Sequence, residues 1–457
     1  MTNQTQSFQP FGDGRLPFFC QEQADYTLFY APGYLAVVAT SEVDAFGQSL
    51  TTPQSAPSPP AAALIRRARA AKEIQDASAT RPFAPVCLTL YLNNECNLRC
   101  TYCYAAPSSR PAARLSLPAI RTAAAVVLDN CRRQQRPFTL VCHGGGEPTR
   151  NRHVLNQALD ELEEMAAVYG LPLFRYVATN GVMSTEKARW LAQRFDLIGL
   201  SCDGPAWLQK RQRPLPNGNN STPFVERTAQ TIHRYGKPLH VRVTITPQSM
   251  PFQPNIAQYI CQALQPEEIR VEPVYQAGRA GPDLCFTAEQ SDAFIDHFRQ
   301  ARQVAGQYGV PWLMSGSRSG EIHGRYCHLF RDVLNLVPGD VATACFKVSE
   351  AVQARQMGVE IGQMDAGNGR FVLDFQHIQT LRQSLQNTPL PCQNCFNQFH
   401  CTFACPDHCP LTEPHPAVHF RCLVQQKLMA ASLQAQAQAL WGSRFALEVM
   451  GTAVTIA

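Results

Sequence analysis

The chain has 457 residues, 45% of them hydrophobic, and a formal charge of +5 with Lys and Arg scattered along it. That length exceeds one ordinary domain, the apolar fraction excludes wholesale disorder, and the scattered charge leaves no nucleic-acid footprint. No apolar run reaches a membrane span and "MTNQTQSFQPFGDG" lacks a signal-peptide layout, so a cytoplasmic protein with reduced cysteines is expected.

Residues 1–80 read as a β-rich preface. In it "YTLFYAPGYLAVV" (26–38) predicts a hairpin around Pro-Gly, "TTPQSAPSPPAAA" (51–63) an unstructured linker, and "LIRRARAAKEIQ" a short helix. From residue 87 short apolar runs alternate with helical ones. The predicted strands are "CLTLYL" (87–92), "FTLVC" (138–142), "FRYVAT" (174–179), "LIGLS" (197–201), "HVRVTI" (240–245) and "IRVEPV" (269–274). Strands separated by helices imply a parallel βα architecture, whose chemistry sits in loops after the strand C-terminal ends. After about residue 285 the alternation fades into a helix (287–308), a cysteine-dense region (327–422) and a final helix.

Eighteen cysteines in a reducing compartment point to metal binding for the clustered ones. Cys96, Cys100 and Cys103 fall in the loop after the first strand. Spaced this way, three thiolates wrap one face of a [4Fe–4S] cubane and leave one iron without a protein ligand. A zinc knuckle borrowing a fourth ligand is the alternative, although closed zinc sites usually pair two Cys-x-x-Cys loops. "HGGGEPT" (143–149) follows the second strand, and its glycines let backbone approach a ligand closely. "ATNG" (178–181) closes the third strand and "SCDGP" (201–205) the fourth. Arg242 carries a planar fork suited to a carboxylate, with a rim ion pair as its alternative role.

The run Cys-x3-Cys-x-aromatic-Cys, with Tyr102 at the aromatic position, resembles the signature of radical S-adenosylmethionine (SAM) enzymes. The resemblance implies that SAM chelates the open iron, that the reduced cluster cleaves it, and that a 5′-deoxyadenosyl radical abstracts a substrate hydrogen. It further implies cofactor contacts at Tyr102, at Gly144, Gly145, Gly146 and Glu147, at Thr179, Asn180, Ser201 and Asp203, and at Arg242. Residues 87–280 match the partial (β/α)6 barrel of that family, and "EPVYQAGRA" (272–280) is family-like without an assigned role.

Farther on, Cys327, Cys345, Cys392-x2-Cys395-x5-Cys401-x3-Cys405 and Cys422 resemble the seven-cysteine SPASM extension of radical SAM enzymes that modify peptides. One departure is the five residues, not four, between Gly339 and Cys345. The resemblance implies two auxiliary [4Fe–4S] clusters: Cys327, Cys345 and Cys405 on the inner one, and Cys392, Cys395, Cys401 and Cys422 on the outer. The eighth position falls to Cys409, Cys285, substrate or solvent, and zinc is the alternative metal. His408, His415 and His419 are either mixed ligands or surface residues, and the other cysteines read as core, with Cys202 on the rim singled out for testing.

The expected protein is therefore α/β, with a preface (1–80), a radical SAM core (81–285), a SPASM domain (286–430) and a C-terminal helix and tail (431–457). Its expected function is modification of a ribosomally made precursor peptide by cross-linking or backbone excision. The resemblance implies SAM and three [4Fe–4S] clusters as cofactors. The expected partners are that peptide, a separate leader-binding protein and an electron donor such as flavodoxin or ferredoxin, with no nucleic acid and no membrane. A sulfatase-type formylglycine maturase is the alternative; such enzymes carry Asp after the second auxiliary cysteine, where this chain has Phe346. A noncatalytic zinc scaffold is the alternative of another class.

Overall fold

The computed structural model describes residues 8–52, 57–106, 113–323, 327–385, 390–401 and 420–448. The chain divides into two compact units, one of residues 1–81, 314–327 and 385–457, the other of 82–313 and 328–384. No helix among the described residues is long and apolar enough to cross a membrane.

The first unit is built on an antiparallel meander of β1 (Gln9–Phe11), β2 (Phe18–Glu22), β3 (Tyr26–Ala31) and β4 (Tyr34–Ala39). The expected hairpin is β3–β4, with Ala31 opposite Tyr34 and Gly33 at φ 82° closing the turn. Alternation along the strands buries both faces. Phe29, Ala31, Ala36 and Val38 pack on Ala61, Leu64 and Ala68 of the helix Pro59–Thr80. Phe19, Leu28 and Tyr30 pack on Met429, Leu433 and Ala437 of the helix Phe420–Glu448. The sequence-based linker (51–63) overshoots, because Pro59 and Pro60 begin that first helix. Proline is tolerated in a first turn, where backbone N–H groups have no intrahelical acceptor.

In the second unit all six expected strands are present: β5 (Cys87–Leu90), β6 (Phe138–Cys142), β7 (Leu173–Thr179), β8 (Leu197–Ser201), β9 (Leu239–Ile245) and β10 (Glu268–Pro273). They are parallel neighbours in chain order. Each is followed by helix, starting with Leu117–Gln134 after β5 and Arg152–Val168 after β6. Val241, Val243 and Ile245 are buried on one face of β9, which leaves His240, Arg242 and Thr244 on the other. The α/β class with a large, mostly parallel sheet is borne out.

Beyond residue 285 the sheet continues where no strands were expected. β11 (Trp312–Met314) follows β10, while β12 (Val333–Val337) adds in parallel to β5 and leads antiparallel β13 (Val341–Thr343), β14 (Glu360–Asp365) and β15 (Arg370–Leu373). β12 is buried at every position and so carries no period-two signal.

Candidate active site

The loop after β5 carries Cys96, Cys100 and Cys103. Cys100 is buried and the other two are half-buried. Burial pushes the Cys100 thiol up to about 12, and negative charge on Cys103 and Cys96 adds to the shift. Burial likewise raises Cys96, with smaller contributions from Glu147 and Cys103. Bound iron would favour the thiolate form of each of these cysteines. Among the described residues no three Cys, His, Asp or Glu side chains converge as the ligands of a single ion would. The all-thiol set suits iron–sulfur ligation.

Backbone bonds hold this loop from two sides. Arg99 N–H donates to the Pro214 carbonyl at 2.9 Å, Thr101 N–H to Gln212 at 3.0 Å, and Arg279 N–H to Cys103 at 3.0 Å. A Cβ on Gly278 would stand 2.2 Å from the Cys103 carbonyl oxygen. The segment 272–280 therefore has a role after all: it backs the cysteine loop.

The glycine triplet after β6 lies against the same loop. Gly144 and Gly145 adopt φ 58° and 69°, and Gly146 N–H donates to the Asn93 carbonyl at 2.8 Å. A Cβ on Gly144 would meet the Tyr91 ring at 2.3 Å, and one on Gly146 the Glu95 carbonyl at 2.0 Å. Only glycine permits this approach.

Glu147 is 2% exposed and its carboxylate is fully engaged by protein donors. Oε1 accepts from Thr149 N–H (3.2 Å), Thr149 Oγ1 (2.8 Å) and Thr179 Oγ1 (2.7 Å), and Oε2 from Asn180 N–H (2.8 Å). Asn180 in turn points its Nδ2 at the Cys96 sulfur (3.6 Å) and donates to Asn97 Oδ1 (2.9 Å). Thr179 and Glu147 staple neighbouring loops, while Asn180 reaches the cysteine loop itself.

Asp203 is wholly buried and likewise engaged. It accepts from Tyr102 Oη at 2.5 Å, Gln212 Nε2 at 2.8 Å and Thr244 N–H at 3.1 Å. Arg213 Nη1 donates to Tyr102 Oη at 2.7 Å. Tyr102 thereby anchors the loop from below. Ser201, half-buried, pairs in register with Arg242 on β9.

Arg242 is exposed, with its guanidinium 5.9 Å from the Tyr176 ring centroid and Nη1 3.2 Å from His143 Nε2. Burial, and then Arg242, push His143 down to about 3, so it is neutral and accepts this bond. The hydrogen-bond partner of Arg242 is thus a neutral ring, which leaves its charge available to an anionic ligand.

Two residues absent from the sequence-based site, Tyr91 and Arg213, belong to its walls. Tyr91, fully buried, supports Gly144 and donates to the Phe346 carbonyl at 2.7 Å. Arg213 is the buried cation beside Tyr102. Asn335 of β12, opposite Thr89 and fully buried, has neither amide atom partnered in the described structure. The proximity of Tyr91 to the cysteine loop in sequence was a usable signal; Arg213 had none.

Among the later cysteines, Cys345 packs with Tyr91, Val341 and Val348. Cys285 lies within electrostatic reach of Lys347, two residues beyond Cys345. In the first unit Cys392 packs with Cys401 and Cys422, and Cys395 N–H donates to the Cys392 carbonyl at 3.2 Å. Cys327 belongs to that unit and is half-buried. Cys405, Cys409, His408, His415 and His419 lie outside the described residues. Cys202 is buried, pushed up to about 12 by that burial, with its thiol 3.7 Å from the Gly204 carbonyl, the setting of an inert core cysteine.

No protein-family model matches the sequence. The fold is shared with a solved structure of anSMEcpe with bound AdoMet (TM-score 0.59, 15% identity, 78% of this chain and 100% of that one). It is shared also with Streptococcus suis SuiB bound to its precursor peptide SuiA (TM-score 0.53, 12% identity, 91% and 100%). In sequence, 153 residues are 26% identical to a cysteine-type anaerobic sulfatase-maturating enzyme of Clostridium perfringens, covering 33% of this chain and 41% of that protein. A further 25% identity over 175 residues relates it to an uncharacterized protein of Methanocaldococcus jannaschii, covering 38% and 57%. The matches span about half the length of these curated relatives. The resemblance drawn from the cysteine motifs is borne out at the level of fold, which this chain shares with the AdoMet-bound anSMEcpe and SuiB structures.

Proposed function

We propose that this chain is a radical SAM/SPASM enzyme that modifies a peptide. The observation that carries the reading is the three-thiol loop after β5, faced by the glycine triplet after β6 and flanked by Asn180 and Arg242. Cys96, Cys100 and Cys103 would hold the cluster, which when bound would supply one electron for reductive cleavage of SAM and so for hydrogen-atom removal from the substrate. Backbone carbonyls of the glycine triplet would receive the SAM amino end, and Arg242 would offer its fork to the carboxylate. Glu147 and Asp203 act behind the site by fixing loops, and Asn180 polarises the Cys96 sulfur.

The seven SPASM-pattern cysteines hold two auxiliary clusters, which makes three [4Fe–4S] clusters in all; the grouping of Cys392, Cys401 and Cys422 supports this. A ribosomal precursor peptide as substrate is supported by the likeness to SuiB, whose structure holds its precursor SuiA. A flavodoxin or ferredoxin supplies the electron, and a separate protein binds the leader. Formylglycine formation is the second reading, favoured by the C. perfringens relative. Against it stands Phe346, where by family resemblance a base would be Asp; its carbonyl is engaged by Tyr91. Cross-linking or excision is therefore preferred.

Anaerobic incubation with SAM and dithionite should release 5′-deoxyadenosine, and Ala at Cys96, Cys100 or Cys103 should abolish the release. Zinc without labile sulfide in anaerobically purified protein would support the scaffold reading instead. Mass spectrometry of the peptide co-expressed from a neighbouring short reading frame separates loss of two hydrogens, a cross-link, from a larger loss, an excision.

A further inference from the structure

Residues 212–214 run along the back of the three-thiol loop through the bonds from Arg99 and Thr101 already described. Between those bonds the Arg213 side chain turns inward and is only 8% exposed. Its Nη1 donates to Tyr102 Oη, which donates to Asp203, and Gln212 Nε2 donates to the same carboxylate oxygen. Asp203 N–H is itself held by Gln209 Oε1 at 2.9 Å. The guanidinium thus occupies a built pocket, one hydroxyl away from its carboxylate.

Arg213 Nε is buried with no hydrogen-bond partner among the described residues. A buried cation with an idle donor is costly unless negative charge lies close. Within this network the Asp203 carboxylate, reached through the Tyr102 hydroxyl, is the negative charge that offsets the burial of Arg213. Its bond to Tyr102, which lies between Cys100 and Cys103 in the sequence, places the positive charge against the cysteine loop.

We infer that Arg213 is a positioning residue that sets the reduction potential of the cluster held by Cys96, Cys100 and Cys103, making that cluster easier to reduce. The inference rests on the cluster reading above. Reduction adds one electron and forms or breaks no bond, so a fixed positive charge favours the reduced state. Net charge near the cluster is one of the quantities that set such potentials.

The test is a dithionite-poised redox titration of full-length, anaerobically reconstituted protein, followed by electron paramagnetic resonance of the signal that Cys96→Ala removes. In Arg213→Met the ratio of reduced to oxidised cluster at a given potential should fall about tenfold, which is 59 mV for one electron. Arg213→Lys should recover most of that ratio. Asp203→Asn, which strips away the counter-charge, should raise the ratio instead. A merely structural role would shift Arg213→Met and Asp203→Asn together or leave both unmoved, and either result overturns the inference. Where Arg213→Met fails to hold iron, Asp203→Asn decides alone: a rise supports the inference and anything else refutes it. Absence of iron and sulfide from the wild-type protein would instead remove the cluster reading itself.

Discussion

Glu147 Oε1 accepts the hydroxyl of Thr179 at 2.7 Å, so a buried carboxylate staples the loop after β6 to the loop after β7. The same carboxylate serves three further donors, from Thr149 N–H, Thr149 Oγ1 and Asn180 N–H. Glu147→Ala strands all of them, and with partial relaxation it should cost roughly 3 kcal/mol in urea unfolding. Glu147→Gln should fall between, because an amide nitrogen cannot accept. A Glu147→Ala protein as stable as wild type would contradict this role.

Gly146→Ala forces a methyl to 2.0 Å from the Glu95 carbonyl, a backbone atom that cannot move aside without shifting the loop. Overpacking of this kind costs on the order of 1–3 kcal/mol, and SAM affinity measured by calorimetry should drop at least tenfold. Gly306→Ala is the contrast: it lies in the helix Ser291–Gln307 with open space around it. That substitution should stabilise by about 0.5 kcal/mol and leave SAM binding alone.

His400 is 1% exposed and sits between Tyr30 Oη (2.5 Å from Nε2) and the Glu321 carbonyl (2.6 Å from Nδ1). The carbonyl can only accept, so Nδ1 carries the proton and Nε2 accepts from Tyr30. Burial holds this ring below its ordinary value. Above about pH 6.5 neither the folded nor the unfolded state is protonated here, and the site adds no pH dependence. Below that, the unfolded chain takes up a proton that the folded state refuses, so stability falls as pH drops toward the depressed folded value. The stability advantage of wild type over His400→Gln should shrink between about pH 7.5 and about pH 5.5 in urea melts. An advantage that grows on acidification would show that His400 is held charged.

Cys392, Cys401 and Cys422 form one packed group, with Cys395 tied to Cys392 by a turn. Cys392→Ala should lower the iron content by about four per chain while leaving the signal that depends on Cys96. Iron equal to wild type would argue that these thiols are only core.

The six parallel strands were legible because each alternates or ends at a rim motif, and the β3–β4 hairpin because Pro-Gly interrupts two β-rich runs. β13 and β14 were not, since β13 is buried at every position and β14 does not alternate, so neither carries a period-two signal. The rim residues were legible by type but not by direction. Glu147 and Asp203 stand where the motifs put them, yet their carboxylates turn into the protein.

By itself the sequence determined what is local: strand and helix periods, the spacing of Cys96, Cys100 and Cys103, and a glycine triplet that tolerates φ 58° and 69°. Only the tertiary structure decided what stands behind that loop. Tyr102 and Arg213 are 111 residues apart, and Tyr102 and Asp203 are 101 apart. Such pairs are set by how whole elements dock, and docking depends on the shape of every buried side chain between them. The spacing of three cysteines announces a cluster; the buried cation bonded to Tyr102 emerges only from the packing of the fold.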